Sequence, residues 1–226
     1  MKIGTFIAAA FIGLAVISCN THEIIPAPEQ KVDLKFHFQG YMRGSFIEFT
    51  QNVDGFDLEA NKIKTIIPNT FSRATYYSYI KSAQKSIGVK LLVGEALWDG
   101  DDSNDPDVNV FTDLFKNFTE PGFSPEGKSI SLFGMNTSGF DVHYKDANGN
   151  IWKGMPGGSN NLEFTYLNQE TDKTGDYMKY IAKMNVTLER NWWEYEYDPL
   201  GIVIDSIPMH DEFQITDGVM KGWFKR

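Results

Sequence analysis

Three groups of side chains have types and spacings that could do chemistry. The first is Trp192-Trp193-Glu194-Tyr195-Glu196-Tyr197, in which large rings interleave with carboxylates. Flat rings stack on the apolar faces of pyranose sugars, and carboxylates accept hydrogen bonds from sugar hydroxyls. On a strand, alternate residues share a face, so Trp192, Glu194 and Glu196 together make a candidate glycan surface. Trp193, Tyr195 and Tyr197 then share the other face. Core or edge packing is the competing use for them, because aromatic residues are common in strands. The second group is Asp99-Gly100-Asp101-Asp102-Ser103-Asn104-Asp105-Pro106-Asp107. Hard cations such as Ca²⁺ take about six to eight oxygen ligands from flexible loops, which makes Asp99, Asp101, Asp105 and Asp107 candidate metal ligands. The pattern departs from the EF-hand: Asn104 stands where that loop needs glycine, and Val110 where it needs glutamate. A solvated acidic loop ahead of a helix is the other use of such a run. The third group is the histidines, His22, His37, His143 and His210. None has a His or Cys two or four residues on, so no zinc or copper pattern forms, and surface positions are expected.

Nucleophilic and phosphate chemistry have no footing in the sequence. There is no Gly-x-Ser-x-Gly elbow, no Walker loop and no dinucleotide glycine fingerprint. Pairs of acids are plentiful. A glycoside hydrolase's two carboxylates leave no local signature, so a carboxylate-dependent hydrolase of polysaccharide stands as the enzymatic alternative, with no catalytic residue named.

The one cysteine, Cys19, has a definite context. Lys2 precedes an apolar run from Ile3 to Ile17, broken by Gly4, Thr5 and Gly13. That run falls short of the roughly 20 residues of a membrane span and suits a signal peptide. It ends Val16-Ile17-Ser18-Cys19, which resembles the bacterial lipobox: an aliphatic residue, a variable one, a small one at the cut, and the thiol that takes the diacylglycerol. Residues 1–18 are therefore expected to be removed and Cys19 to be lipidated. Loss of Lys2 takes Lys plus Arg from 21 to 20 against 30 acids, so the formal charge goes from −9 to −10. Such a chain has little to gain from nucleic acid, where affinity comes from Lys and Arg releasing counterions. Anionic lipid repels it too, which leaves the lipid as its membrane contact. Asn20, where enterobacterial inner-membrane retention uses Asp, points to the outer membrane without choosing a face. The mature chain has no cysteine and needs a disulfide-free core.

Stepping along the chain, residues 19–30 form a Pro-bearing tether, and 31–226 are expected to be a single all-β domain. Val32, Leu34, Phe36 and Phe38 alternate with polar residues. So do Phe140, Val142 and Tyr144, then Leu162, Phe164 and Tyr166, then Ala182, Met184, Val186 and Leu188. One apolar and one polar face per strand is the pattern of antiparallel sheets. Shorter strands are expected at 45–50, 62–67, 74–80, 86–93, 201–207, 211–216 and 219–225. Asp146-Ala147-Asn148-Gly149-Asn150 and Asp217-Gly218 read as hairpin turns. From Trp193 the large residues move to odd positions, which predicts a bulge or a strand break near Arg190-Asn191. Val110, Phe111, Leu114, Phe115 and Phe118 make an apolar stripe, which predicts a helix starting at Pro106-Asp107 and stopping at Pro121-Gly122. About ten strands and one short helix predict an antiparallel β-sandwich, with a closed β-barrel as the alternative.

The pattern as a whole resembles the uncharacterised cell-envelope lipoproteins of Bacteroidota. The residues that carry the resemblance are Phe36-His37-Phe38-Gln39-Gly40, Asp141 to Trp152, and Ile215 to Phe224. It implies an address and an all-β fold and brings no catalytic or ligand residue. Asp205-Ser206-Ile207 also resembles the Asp-Ser/Thr-aliphatic O-glycosylation sequon of that phylum. The expected function is a non-enzymatic domain that binds a glycan or an envelope protein or serves a structural role. A Ca²⁺-stabilised adhesin-like module is a further alternative, with Ca²⁺ the only cofactor suggested.

Overall fold

The computed structural model describes residue 29 and residues 31–67, 70–101, 103–116, 120–132 and 135–226. Cys19, the signal segment and the rest of the tether lie outside the described residues, as do His22, Asp102 and Phe118. Lys31–Arg226 form one compact unit.

The strands are β1 His37–Met42, β2 Ser45–Thr50, β3 Phe56–Thr65, β4 Ser72–Ser82 and β5 Ile87–Trp98. Helix α1 follows at Val108–Lys116, then β6 Gly122–Phe123, a 3-10 turn at Pro125–Gly127, β7 Ile130–Leu132 and β8 Met135–Thr137. The chain ends with β9 Gly139–Lys145, β10 Ile151–Gly154, β11 Asn161–Asp172, β12 Gly175–Tyr197 and β13 Val203–Lys225. The antiparallel all-β domain with one short helix is as expected. What the sandwich reading separates into two packed sheets is joined here into one eleven-stranded sheet, in the order β2-β1-β13-β12-β10-β9-β5-β4-β3. β11 also pairs with β12, and β6 with β9.

The sheet curls into a half-barrel. Its edge strands, β2 and β3, are consecutive in sequence, and Phe49 stacks on Phe56 with ring centroids 4.5 Å apart. No ladder joins those two strands, so the barrel stays open along that seam. The concave side is filled by alternate residues: Phe38, Tyr76, Ile80, Leu91, Phe140, Val142, Met184, Leu188 and Phe224 are all nearly inaccessible. Helix α1 covers them. Asp107 caps its start, its Oδ1 accepting from the N–H groups of Asn109 and Val110. Phe111 meets Tyr76 edge-on at 4.9 Å, and Phe115 stacks on Phe224 at 5.2 Å.

Several local expectations change. Tyr166 is exposed although Leu162 and Phe164 are buried, because the β11–β12 register shifts between Phe164 and Tyr166. Residues 31–36 run ahead of β1 and are not in a ladder. Asp146 does organise a hairpin: its carboxylate accepts from Asn148, Asn150 and the Trp152 indole, and Gly149 takes φ +84°. Asp217-Gly218 does not form a hairpin. β13 runs straight through it as a bulge, Asp217 at φ 51°, with its N–H donating to Asn185 Oδ1 at 2.9 Å. The strand continues because β12 and β1 hold it on both sides of the bulge. A Cβ on Gly218 would come within 2.9 Å of the Met184 carbonyl oxygen, so close passage demands glycine there.

Candidate functional site

The bulge or strand break expected near Arg190-Asn191 is absent. The β12–β13 ladder is unbroken from Val186↔Ile215 to Glu196↔Asp205. The parity change has another cause. β10 stops pairing with β12 at Lys153↔Glu189, and β1 stops pairing with β13 at Met42↔Ile215. Beyond those points, residues 190–211 pair only with each other among the described residues and leave the sheet as a two-stranded arm. At about 3.4 Å per residue, the arm reaches roughly 25 Å past its last neighbours.

Cross-strand partners share a face in an antiparallel ladder. Trp193 and Tyr195 therefore lie on one face with Pro208 and Ser206, and Tyr197 continues the line. Trp192, Glu194 and Glu196 occupy the other face, opposite Met209, Ile207 and Asp205. The packing role expected for Trp193, Tyr195 and Tyr197 is overturned: all three are more than half exposed. Among the described residues, no other strand pairs with this stretch. The proposed sugar platform on the opposite face is altered too. Trp192 is half-buried, with the Arg190 guanidinium 4.4 Å from its ring centroid, so one side of the indole is already occupied.

The tip makes its own order. Asp198 Oδ1 accepts from the N–H groups of Leu200 and Ile202, its carbonyl accepts from Gly201, and Gly201 sits at φ +79°. On this turn and the strand after it, Leu200 is 84% exposed, Ile202 60% and Ile204 64%. With the three rings they are exposed apolar side chains gathered on one arm, a grouping that marks an interaction site. Residues 191–210 also include Glu194, Glu196, Asp198 and Asp205 and no Lys or Arg. The arm is thus apolar and anionic at once.

Its base is clamped. Arg43, in the β1–β2 turn, donates to Asp211 at 2.7 Å and lies over the rings of Trp152 and Phe213 at 5.0 and 4.9 Å. The Arg43 hydrogen bond holds the Asp211 carboxyl below its usual range. His210 Nδ1 lies 2.8 Å from Asn191 Oδ1 across the ladder. Local reading missed this site because a hairpin in the sheet and one beyond it have the same alternation. A usable signal was the uninterrupted absence of Lys and Arg from Asn191 to Met220.

The acidic loop is engaged in other ways. Asp101 Oδ1 accepts from the Ser103 hydroxyl and N–H, which hold its carboxyl below the usual range. Asp105 is paired with Lys62 at 2.8 Å and Lys64 at 3.4 Å. Asp107 caps α1. The structure does not bring three of these carboxylates together among the described residues. Two open cavities each contain two acids: Asp99 and Asp101 line one of about 540 Å³, and Glu120 and Glu163 line one of about 550 Å³. Asp101 is shifted in the direction opposite to the one a general acid needs.

No family model matches the chain, and no match is found among the curated proteins or the solved structures.

Proposed function

We propose that this chain is a lipid-anchored envelope protein, held by Cys19 in the outer membrane, whose domain is a non-enzymatic binding module acting through the 190–210 arm. The single observation that carries the proposal is the arm itself, a self-ordered ribbon exposing Trp193, Tyr195, Tyr197, Leu200, Ile202 and Ile204, with no other strand paired to it among the described residues. The aliphatic tip favours a protein over a glycan, since sugars are matched by rings and hydroxyls. The acids favour a partner with basic side chains around an apolar groove, and they disfavour both anionic lipid and a second copy of the arm. Among the described residues both ribbon edges are unpaired, so an extended partner segment could add to them as a further strand.

A photocrosslinking residue at position 195 tests this in intact cells. One discrete protein adduct is expected, lost when Glu194 and Glu196 are both changed to Lys. Absence of any adduct at 195 and 204 would sink the proposal. A second reading rests on the line of three rings at two-residue spacing, which suits an extended glycan. Glycan-array binding that disappears in Trp193→Ala with Tyr195→Ala, without a protein adduct, would favour it.

A further inference from the structure

On the convex side of the sheet, well away from the arm's residues, β5 and β9 bring three nitrogen-bearing side chains to one cavity, with Tyr79 of β4 beside them. It has a volume of about 400 Å³, and Tyr79, Lys90, His143, Lys145 and Ile151 are among its walls. That lies within the range of about 300–1,000 Å³ usual for small-molecule sites. The ladders set the positions: Lys90 is directly opposite Tyr79 on one side and His143 on the other, and Lys145 is directly opposite Ile151. The Lys90 amine lies 4.6 and 5.0 Å from the ring centroids of Tyr77 and Tyr79. Half-burial lowers its pKa, outweighing the attraction of Glu59 and Glu126, with Lys81 adding to the lowering.

The surrounding carboxylates are already engaged. Glu59 on β3 accepts from Lys81 and from the Tyr77 hydroxyl. Glu126 in the 3-10 turn is paired with Lys153 of β10 at 2.6 Å. Asp146 is taken up by its own hairpin. Asp141 is buried and accepts from the backbone N–H groups of Val142, Gly154 and Glu126. His143 Nε2 lies 3.0 Å from Asp141 Oδ2, and Nδ1 has no partner among the described residues. Lys145 has no ion pair among the described residues. In a chain of net charge −9, Lys90 and Lys145 thus meet at one cavity with no carboxylate at ion-pair distance among the described residues, beside His143, whose acid partner is the buried Asp141.

We propose that this cavity binds a small organic anion. The acid head lies among Lys90, His143 and Lys145, and the apolar body lies against Tyr79 and Ile151. Ile151, an aliphatic side chain more than half exposed beside Lys145, supplies the apolar contact. Charge-assisted hydrogen bonds to an anionic head would satisfy the amines that the fold leaves without oxygen acceptors.

Benzoate is the probe and benzyl alcohol its neutral counterpart, each titrated into the full lipidated chain in detergent. The readout is the Ile151 methyl signal in isoleucine-labelled NMR spectra, assigned through Ile151→Val. A saturable shift with benzoate is expected, with benzyl alcohol and the Lys90→Gln variant each weaker by about tenfold, the scale of one charge-assisted contact. Lys145→Gln gives the same loss in a chain whose β5 is unaltered, and it decides the matter if Lys90→Gln does not fold. No saturable shift, equal binding of benzoate and benzyl alcohol, or full affinity in Lys145→Gln and any folded Lys90→Gln would overturn the proposal.

Discussion

At the scale of single residues, the same side-chain type has opposite energetic weight in the sheet and in the arm. Phe111 is fully buried against Tyr76 and Phe115, whereas Trp193 is 55% exposed. Phe111→Ala leaves a cavity and is expected to cost about 3–5 kcal/mol in urea unfolding. Trp193→Ala removes a ring that touches little of the fold and should change stability by no more than about 0.5 kcal/mol. A large loss at Trp193 would mean that the arm folds back on the domain. Asp172, in the β11–β12 turn, provides a pH test. Hydrogen bonds from the Thr174 hydroxyl, the Val32 N–H and the Thr174 N–H hold its carboxyl down at about 2, from an ordinary value of 3.8. A depressed folded pKa means its stabilisation is present above about pH 4 and is lost as pH falls through about 2. Urea midpoints measured across that window should fall less steeply in Asp172→Asn than in the parent chain.

At the scale of elements, the arm is separable from the sheet. The last buried residues on its two strands are Leu188 and Phe213, both below its base. Arg190 and Asp211 are direct partners, so a two-residue Asn-Gly turn can join them in place of residues 191–210. That shortened chain is expected to fold with a melting temperature within about 3 °C of the parent and to lose the crosslinked partner. Arg43→Ala should instead loosen the arm's base. It removes an exposed ion pair, worth little by itself, and a cation resting on two rings, for a loss of about 1 kcal/mol. Faster amide exchange is expected at residues 209–213 and unchanged exchange in β4 and β5.

At the scale of the whole molecule, the acidic balance and the proposed anchor make separate predictions. Cys19→Ser should release the chain from membranes under mild extraction, because an acidic surface gives lipid no second hold. Partner capture by the arm should weaken as salt rises from low to physiological strength, where a Debye length is about 8 Å. Capture indifferent to salt would leave the apolar tip as the only contact.

Much of this architecture was readable in the chain before any contact was known. Alternation identified Phe140 with Val142, Leu162 with Phe164, and the run from Ala182 to Leu188 as core-facing, because a period of two is a local property of a strand. Asp146 to Asn150 as a hairpin, and the helix through Phe111 and Phe115, were equally local. The proposed lipidation at Cys19 rests on sequence alone. What alternation cannot supply is what lies over a face. Trp193, Tyr195 and Tyr197 alternate as regularly as the core residues. They are exposed only because β10 ends at Gly154 and β1 at Met42, while their own strands continue past both. Asp217-Gly218 carries turn chemistry and becomes a bulge, because neighbours on both sides keep β13 extended. One curled sheet instead of two, and a basic cavity assembled from β4, β5 and β9, depend on which strands become neighbours. That choice belongs to long-range pairing, which leaves no mark at the spacing of adjacent residues.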